Sequence, residues 1–373
     1  MKKILVIRFS SVGDIVMTLP VAGALKELYG EDCKIVWMTK KVYADLVTSN
    51  KFIDEVIYFE DFQDKWFRII KEIVRNVNKW FNKRTFKNLT VIKNFLYLFP
   101  VNKKLSNYKF DLVLDLQGSI ESSVLSISTR AAVRLIPWHV KNGAERFAKQ
   151  IIPDTDNKHE IEKYLDVVRF LSKNKSDKIS FGWDFTESDK NLLKDLCKKN
   201  NIDLKKPYVI LPLRTQWESK NYPLEYWADI IKYFNKVGAT AVVCGTNSDK
   251  RCTENLRALL GDSYNFIDLC GKTTMKQLIL LINYAKLIIS SDSGPMHIAY
   301  SLGKPLIALF GATNPKIVGP MGGEVHVLQI DRECRCCKKT LCPRNLDCLR
   351  NIKPELVINI IKRFFKKGLE YDK

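Results

Sequence analysis

The sequence predicts an α/β protein that is built from two doubly wound, Rossmann-like units, one after the other. Three observations predict this fold. Short apolar runs of strand length alternate with stretches of helical spacing from the start of the chain, and the alternation begins again near Pro207. A polar stretch rich in Lys, Asn and Asp, residues 172–180, separates the two series. Because strands covered by helices on both faces are continuously apolar, each series indicates a parallel sheet.

The first series supplies the strands of the N-terminal unit. They are predicted at Lys3–Arg8, Lys34–Met38, Glu55–Phe59, Asp111–Leu116 and Ala132–Ile136. Leu19–Tyr29 has apolar residues at helical spacing and predicts the first long helix. We therefore expect an N-terminal domain over residues 1–175, with an insertion at about 62–105 that breaks the alternation.

The second series predicts a C-terminal domain over residues 176–350. Its strands are predicted at Tyr208–Leu213, Thr240–Cys244, Phe266–Leu269, Leu287–Ser290 and Pro305–Phe310. Tyr226–Val237 and Met275–Tyr284 have the spacing of helices. Pro354 begins an amphipathic helix within residues 351–373, which we expect to pack back on the N-terminal domain.

Composition excludes several classes of protein. With 46% hydrophobic residues the 373-residue chain is not disordered. It contains no run of 18 uncharged apolar residues, so no membrane-spanning helix is predicted. The apolar run at the N-terminus is too short for a signal peptide, and we expect a cytoplasmic protein whose 10 cysteines are reduced.

The net charge of +20 is concentrated in two zones. Residues 64–104 hold 11 basic and 2 acidic residues, and residues 332–373 hold 12 basic and 5 acidic residues. Such zones indicate an anionic partner, either nucleic acid or the phosphates of a membrane surface.

A basic segment, Trp66–Phe81, lies in the first of these zones. Its apolar residues recur at steps of three and four, with cations largely elsewhere on the helical wheel; they are Trp66, Ile70, Ile73, Val77 and Phe81. A basic amphipathic helix of this kind binds membrane interfaces. The alternative is a helix that packs its apolar stripe on its own domain.

The first candidate site follows the first predicted strand, in the sequence Arg8-Phe9-Ser10-Ser11-Val12-Gly13-Asp14. Ligands of open α/β sheets bind where strands end, and small residues such as Ser10, Ser11 and Gly13 let a substrate approach the backbone. Asp14 stands near a predicted helix N-terminus, where an ionised carboxylate is favoured and can act as a general base on a hydroxyl. The alternative is an ordinary helix-capping aspartate.

Two further candidate sites follow strands of the second series. After Leu287–Ser290, Asp292 and His297 flank a turn that contains Ser293 and Gly294 and opens a helix, an arrangement typical of phosphate sites. After Tyr208–Leu213, a loop carries Lys220, a candidate for neutralising a diphosphate. Alternatively, the histidine is a structural side chain and the lysine is simply solvated.

Five cysteines fall within 15 residues near the end of the second domain. They are Cys334, Cys336, Cys337, Cys342 and Cys348. Four thiolates at short spacing can hold a structural zinc ion. The alternative is a basic loop with free thiols.

Taken together, these motifs resemble the heptosyltransferases of lipopolysaccharide core synthesis, glycosyltransferase family 9. The resemblance rests on the R-F-S-S-V-G-D segment with its following T-L-P, on the loop that reaches Lys220, and on S-D-S-G-P-M-H with the later Gly303-Lys304-Pro305. It implies a GT-B fold and an inverting transfer that requires no cofactor. It also implies a nucleotide-sugar donor, commonly ADP-heptose, and a lipid A-core type glycolipid acceptor at the cytosolic face of the inner membrane.

The same resemblance implies roles for individual residues. Asp14 matches the catalytic base, Lys220 the lysine on the donor phosphates and Asp292 the carboxylate that contacts the donor sugar. The other matches to the donor site are Thr215, Gln216, Asn247, Thr273, Ser293, Gly294 and His297, while Arg8, Ser10, Ser11 and Gly13 match the acceptor-side loop. The ribose loop, residues 245–249, lacks the glutamate that the family carries there.

Two alternatives stay open. The same fold can use another nucleotide sugar or glycan acceptor. A protein of another class, a nucleic-acid-binding protein with a cysteine–metal site, also suits the high positive charge. That class does not explain why small-residue turns recur at strand ends in both halves, so no nucleic-acid partner is expected.

Overall fold

The computed structural model describes residues 1–62, 103–140, 144–172 and 178–366. The chain divides into two compact units, Met1–Asp184 and Phe185–Lys373. The boundary lies later than the predicted one because residues 182–184 join the first unit. The backbone N–H of Lys51 donates to Gly182, and that of Asp184 donates to Ser49, both at 2.8 Å.

The first unit contains a parallel sheet of six strands in the order β3-β2-β1-β4-β5-β6. Its strands are β1 (Lys3–Ile7), β2 (Lys34–Thr39), β3 (Glu55–Tyr58), β4 (Leu112–Asp115), β5 (Val133–Ile136) and β6 (Lys149–Gln150). The described helices are α1 (Val12–Thr18), α2 (Pro20–Tyr29), α3 (Ala44–Thr48), α4 (Lys103–Ser106), α5 (Ile120–Ser128) and α6 (Glu160–Arg169). This strand order is that of a doubly wound fold, in which ligands bind beyond the carboxyl ends of the strands.

The second unit repeats the same arrangement, with the strand order β12-β11-β10-β7-β8-β9. Its strands are β7 (Tyr208–Pro212), β8 (Thr240–Cys244), β9 (Ile267–Asp268), β10 (Leu287–Ser291), β11 (Leu306–Phe310) and β12 (Val325–Gln329). The longer helices are α7 (Glu187–Lys199), α8 (Leu224–Lys236), α9 (Lys250–Leu260), α10 (Met275–Tyr284) and α11 (Gly294–Ser301). Three more follow: α12 (Pro315–Val318), α13 (Asp347–Arg350) and α14 (Pro354–Lys366).

Buried strands place the core where their apolar runs predict it. In the first unit Leu5, Val36 and Val113 are fully buried on neighbouring strands, and in the second unit Val209 and Ile289 are fully buried. Burial of an aliphatic side chain contributes about 1.5–3 kcal/mol relative to exposure, so these runs both select the sheet and hold it together.

The last helix was expected to pack back on the N-terminal domain. The apolar side chains of α14, among them Val357, Ile361 and Phe364, lie instead in the core of the second unit. The ring of Phe365 lies 5.7 Å from that of Phe234 on α8. The amphipathic pattern predicted the helix correctly, but it did not identify the surface that the helix covers.

The basic segment Trp66–Phe81 lies outside the described residues, so its helix and its membrane role stay predictions. In the part of the chain that is described, no helix has both the length and the apolar character needed to cross a bilayer.

Candidate functional site

The first candidate site lies at the carboxyl end of β1. After Ile7 the chain turns through Arg8, Ser10 and Ser11 into α1, and Asp14 lies in the first turn of this helix. The N–H and the hydroxyl of Ser11 both donate to Asp14 Oδ2, at 3.0 and 2.9 Å. Asp14 is therefore the third helical residue of a capping box whose N-cap is Ser11, and not the N-cap aspartate of the alternative interpretation. Its side chain is nevertheless 39% exposed and accessible to a ligand.

A buried arginine holds the other oxygen of this carboxylate. Arg8 Nη2 lies 2.9 Å from Asp14 Oδ1, and the Arg8 side chain is only 5% exposed. Arg8 Nη1 donates to the carbonyl of Leu116 at 2.5 Å and lies 3.3 Å from His139 Nε2. The guanidinium is thus fixed from the end of β4, and its ion pair orients the Asp14 carboxylate.

Helix α6 adds charged and aromatic groups beside this pair, which the sequence analysis did not identify. The ring of Tyr164 lies 5.4 Å from the Arg8 guanidinium carbon. Burial raises the pKa of Glu160, and Lys163 Nζ lies 3.2 Å from its carboxylate. Lys163 is itself almost fully buried. A charged pair on the buried side of an amphipathic helix was the signal that could have located these residues.

The second candidate site lies at the carboxyl ends of β7 and β10. Lys220 ends a short 3₁₀ turn, Glu218–Lys220, and Asp292 directly follows β10. Lys220 Nζ lies 2.7 Å from Asp292 Oδ2, with side chains that are 16% and 6% exposed. The hydroxyl of Thr313 donates to the same oxygen at 2.7 Å. His297 Nε2 lies 3.5 Å from Asp292 Oδ1, and its Nδ1 is 3.2 Å from the Tyr300 hydroxyl.

This group, Lys220, Asp292, His297 and Thr313, is called the donor-site network below, after the role that the sequence resemblance implies for it. Burial by itself raises the pKa of Asp292, but the hydrogen bond from His297 and the charge of Lys220 outweigh it and hold that pKa well below its ordinary value. Asp292 is therefore ionised at neutral pH. Lys220 Nζ also lies 4.4 Å from the ring centroid of Trp217, which further fixes the ammonium group.

The other predicted residues of this second site have different surroundings. Ser293 Oγ lies 2.8 Å from Ser290 Oγ, and Gly294 is the first residue of α11. Gln216 is exposed. The hydroxyl of Thr215 donates to the carbonyl of Trp217 at 2.7 Å, so it shapes the Lys220 loop.

Asn247 and Thr273 lie on two loops that contact each other. The N–H of Gly271 donates to Gly245 at 2.9 Å, which joins the loop of Asn247 to the segment before Thr273. A Cβ atom on Gly271, whose φ is +68°, would lie 1.9 Å from Asn247 Oδ1, so only glycine fits there. Residues 245–249, which the resemblance identifies as the ribose loop, contain one carboxylate, Asp249. It accepts hydrogen bonds from the N–H and the hydroxyl of Thr246.

The cysteine-rich loop does not bring its thiols together in this structure. Among the described residues, which include all five cysteines, no group of three or more metal-ligating side chains is placed to hold an ion. Burial raises the pKa of the Cys348 thiol to about 11. Cys336 Sγ donates to the carbonyl of Thr313 at 3.5 Å, whereas Cys337 is exposed. The structural zinc ion and its alternative, a loop with free thiols, both stay predictions.

The backbone of this loop instead supports the donor-site network. The N–H of Ser219, which precedes Lys220, donates to the carbonyl of Thr340 at 3.1 Å. The N–H groups of Cys336 and Lys338 donate to Gly311 and Ala312 at 2.9 and 2.8 Å. The loop therefore joins the Lys220 turn to the chain that leads to Thr313.

Comparisons with known proteins show likenesses of sequence and of fold. Residues 98–346 match the family model for glycosyltransferase family 9 (heptosyltransferase). Lipopolysaccharide heptosyltransferase 1 of Campylobacter coli is 24% identical over 97% of this chain and 99% of its own length.

Two solved structures have the same fold. The E. coli ADP-heptose LPS heptosyltransferase II is 18% identical, with a TM-score of 0.74 and 99% of each chain covered. E. coli heptosyltransferase WaaC, solved with ADP-2-deoxy-2-fluoro heptose, is 17% identical, with a TM-score of 0.65 and coverage of 97% of this chain and 99% of its own. These likenesses confirm the predicted GT-B fold class.

Proposed function

Because this chain belongs to glycosyltransferase family 9, we propose that it transfers a heptose from ADP-heptose to a lipid-linked acceptor in lipopolysaccharide core synthesis, with inversion and without a metal ion. The full-length relative in C. coli is a lipopolysaccharide heptosyltransferase, and E. coli WaaC binds an ADP-heptose analogue. These relatives support the choice of sugar, nucleotide and acceptor class.

The donor-site network is the observation that carries the proposal. An ammonium group has three N–H donors, and Lys220 uses one of them on Asp292 at 2.7 Å. No other acceptor for this ammonium group stands among the described residues, so the remaining donors can face a second anion, such as the diphosphate of the donor. Asp292, kept ionised, fixes the position of the Lys220 ammonium, and its own oxygens are acceptors for sugar hydroxyls.

The leaving group needs stabilisation as the bond to the sugar breaks. Negative charge then develops on the departing ADP, and a fixed cation in a site of low exposure stabilises it without reorganisation. Lys220 supplies that cation. The first N–H groups of α11, the helix that follows Asp292, contribute the positive ends of their dipoles. This is the part that a metal ion plays in other glycosyl transfers.

The acceptor is activated in the first unit. Its hydroxyl oxygen bonds to the anomeric carbon, its proton passes to Asp14, and the bond from that carbon to the ADP oxygen breaks. Arg8 holds Asp14 Oδ1 in place through their ion pair at 2.9 Å, so Asp14 reaches the acceptor with a fixed orientation.

Location follows from the acceptor. A lipid-linked acceptor requires an enzyme that works at the cytosolic face of the inner membrane, as a peripheral protein. The eleven cations among residues 64–104 support such contact with an anionic surface.

The test uses the purified, EDTA-treated protein with ADP-heptose and a lipid A-core acceptor that lacks heptose. We expect transfer, with the anomeric configuration of the product inverted by NMR, and stabilisation by ADP-heptose in a thermal-shift assay. Other nucleotide sugars are run in parallel, because the ribose loop lacks the family glutamate. Transfer from one of those instead, or a strict requirement for Mg²⁺, would overturn the corresponding part of the proposal.

A further inference from the structure

The second unit contains a cavity lined by lysines at the amino ends of its strands. The donor-site network lies where β7 and β10 end, but Lys205 and Lys206 precede β7, and Lys286 directly precedes β10. Since a five-residue strand spans about 16 Å, the cavity and the donor-site network lie at opposite ends of the same strands. The cavity is therefore separate from the residues proposed to carry out transfer.

Positive charge is concentrated in this cavity, which has a volume of about 430 Å³. Five lysines line it, Lys190, Lys194, Lys205, Lys206 and Lys286, and no carboxylate stands among its described lining residues. Lys190 is partly neutralised, because its Nζ lies 2.8 Å from Glu187 Oε2 in an exposed pair. Glu187 also interacts electrostatically with Lys194, and the Asp203 carboxylate accepts a hydrogen bond from the backbone N–H of Lys205 at 3.0 Å, but the five lysines outnumber these two carboxylates.

The next strand adds to this charge. Lys304 stands two residues before β11, which pairs with β10 in the sheet. Burial lowers the pKa of Lys304, and the neighbouring charge of Lys286 lowers it further. Lysines thus precede three adjacent parallel strands, and at least two of them repel each other.

The rest of the cavity is apolar. Leu204 and Tyr284 contribute large side chains that are each 44% exposed, and Leu193 and Pro207 complete this wall. A bare inorganic ion would contact the lysines and leave this wall in water. The volume lies within the range of roughly 300–1,000 Å³ that is typical of small-molecule sites.

We propose that this cavity binds a phosphate-bearing ligand with an apolar or aromatic body, remote from the transfer site. The lysines contact the phosphate group, and Leu204 and Tyr284 contact the body. Two sources supply this chemistry, the headgroup region of an anionic phospholipid and a soluble phosphate monoester, and the experiment separates them.

The experiment compares a cavity variant with a control of equal charge in the full-length protein. The cavity variant is Lys205→Gln/Lys206→Gln/Lys286→Gln. The control, Lys198→Gln/Lys236→Gln/Lys362→Gln, removes three exposed cations of the same unit that do not line the cavity. Calorimetry measures binding of phenyl phosphate and inorganic phosphate, and sedimentation measures binding to phosphatidylcholine vesicles with and without phosphatidylglycerol.

We expect the parent and the control to bind phenyl phosphate more tightly than inorganic phosphate. The cavity variant should lose about tenfold or more in affinity for phenyl phosphate, because charge-assisted hydrogen bonds are lost. A loss of vesicle binding confined to the cavity variant, roughly a hundredfold for three cations, identifies the lipid headgroup as the source. A loss confined to phenyl phosphate identifies a soluble ligand. Binding that is equal in the cavity variant and the control for both probes overturns the proposal.

A second variant tests the apolar wall without changing charge. Leu204→Ser should reduce the preference for phenyl phosphate over inorganic phosphate and leave inorganic phosphate binding unchanged. If the parent itself shows no such preference, the ligand has no apolar body and the proposed class is wrong.

Discussion

Replacing Asp292 by Asn tests how far the donor-site network stabilises the second unit. The change removes one charge and keeps the shape. Asp292 Oδ2 lies 2.7 Å from Lys220 Nζ in a pair that is 16% and 6% exposed. Removing one partner of a buried pair costs about 3–5 kcal/mol. Because Asn keeps one acceptor oxygen for the Thr313 hydroxyl, we expect the lower end of this range.

Urea unfolding measures the total loss, and hydrogen exchange of the peptide that spans β10 and α11 measures the local loss. The matched control is Asp229→Asn, which removes the partner of Lys232 in an exposed pair at 3.4 Å. Exposed pairs contribute about 1 kcal/mol or less, so the control should unfold nearly as the parent does.

The pH dependence of stability gives the sharper result. The folded pKa of Asp292 is lowered, and the unfolded value is about 3.9. The unfolded state therefore binds the proton first as the pH falls, and the stabilisation that is fully present above about pH 4 is lost below it. The Asn variant lacks this loss. Equal stability of the two proteins at pH 7, or parallel acid curves, would refute this reasoning.

Three further predictions concern function. Asp14→Asn should lower kcat by about 10²-fold or more and keep donor affinity, and normal turnover by a folded variant would remove Asp14 from the mechanism. Lys220→Ala should weaken ADP binding more than adenosine binding by calorimetry, whereas equal losses would mean that the lysine only supports its loop. In the basic segment, replacing Lys71, Arg75 and Lys79 by Gln should reduce binding to anionic vesicles by about a hundredfold, most at low salt. Activity on a delipidated acceptor should survive; parental vesicle binding contradicts the membrane hypothesis.

Most of the fold was predictable because ten of the twelve described strands are apolar runs that stand out from their flanks. The two that were missed lack this signal. Lys149–Gln150 is a polar strand of two residues at a sheet edge. Val325–Gln329 is only partly buried along its length, so its sequence lacks the continuous apolar run that predicts a buried strand. Edge strands form because a neighbour offers hydrogen bonds, and that neighbour is not visible in the local pattern.

The candidate sites were predictable to the extent that they follow strands directly. Asp292 comes directly after an apolar run, and Asp14 lies in the first turn of the helix that follows one, so the parallel-sheet rule places both at a ligand-binding edge. Their partners were not predictable. Thr313 lies on another loop, and Tyr164 comes from a helix far along the chain, so their contacts depend on packing rather than on spacing. For the same reason the sequence placed Arg8 in the acceptor-side loop but did not predict its ion pair with Asp14.

The cysteine-rich loop has a structural connection that its side-chain chemistry does not show. Thiols at short spacing predict a metal, whereas the described contacts that link this loop to the donor-site network run mainly through its backbone. The N–H of Ser219, the residue before Lys220, donates to the carbonyl of Thr340. The N–H of Lys338 donates to the carbonyl of Ala312, the residue before Thr313. Lys220 and Thr313 contact the same Asp292 oxygen. The loop therefore aligns two partners of Asp292, and the buried Cys348 acts as a small apolar side chain beneath it.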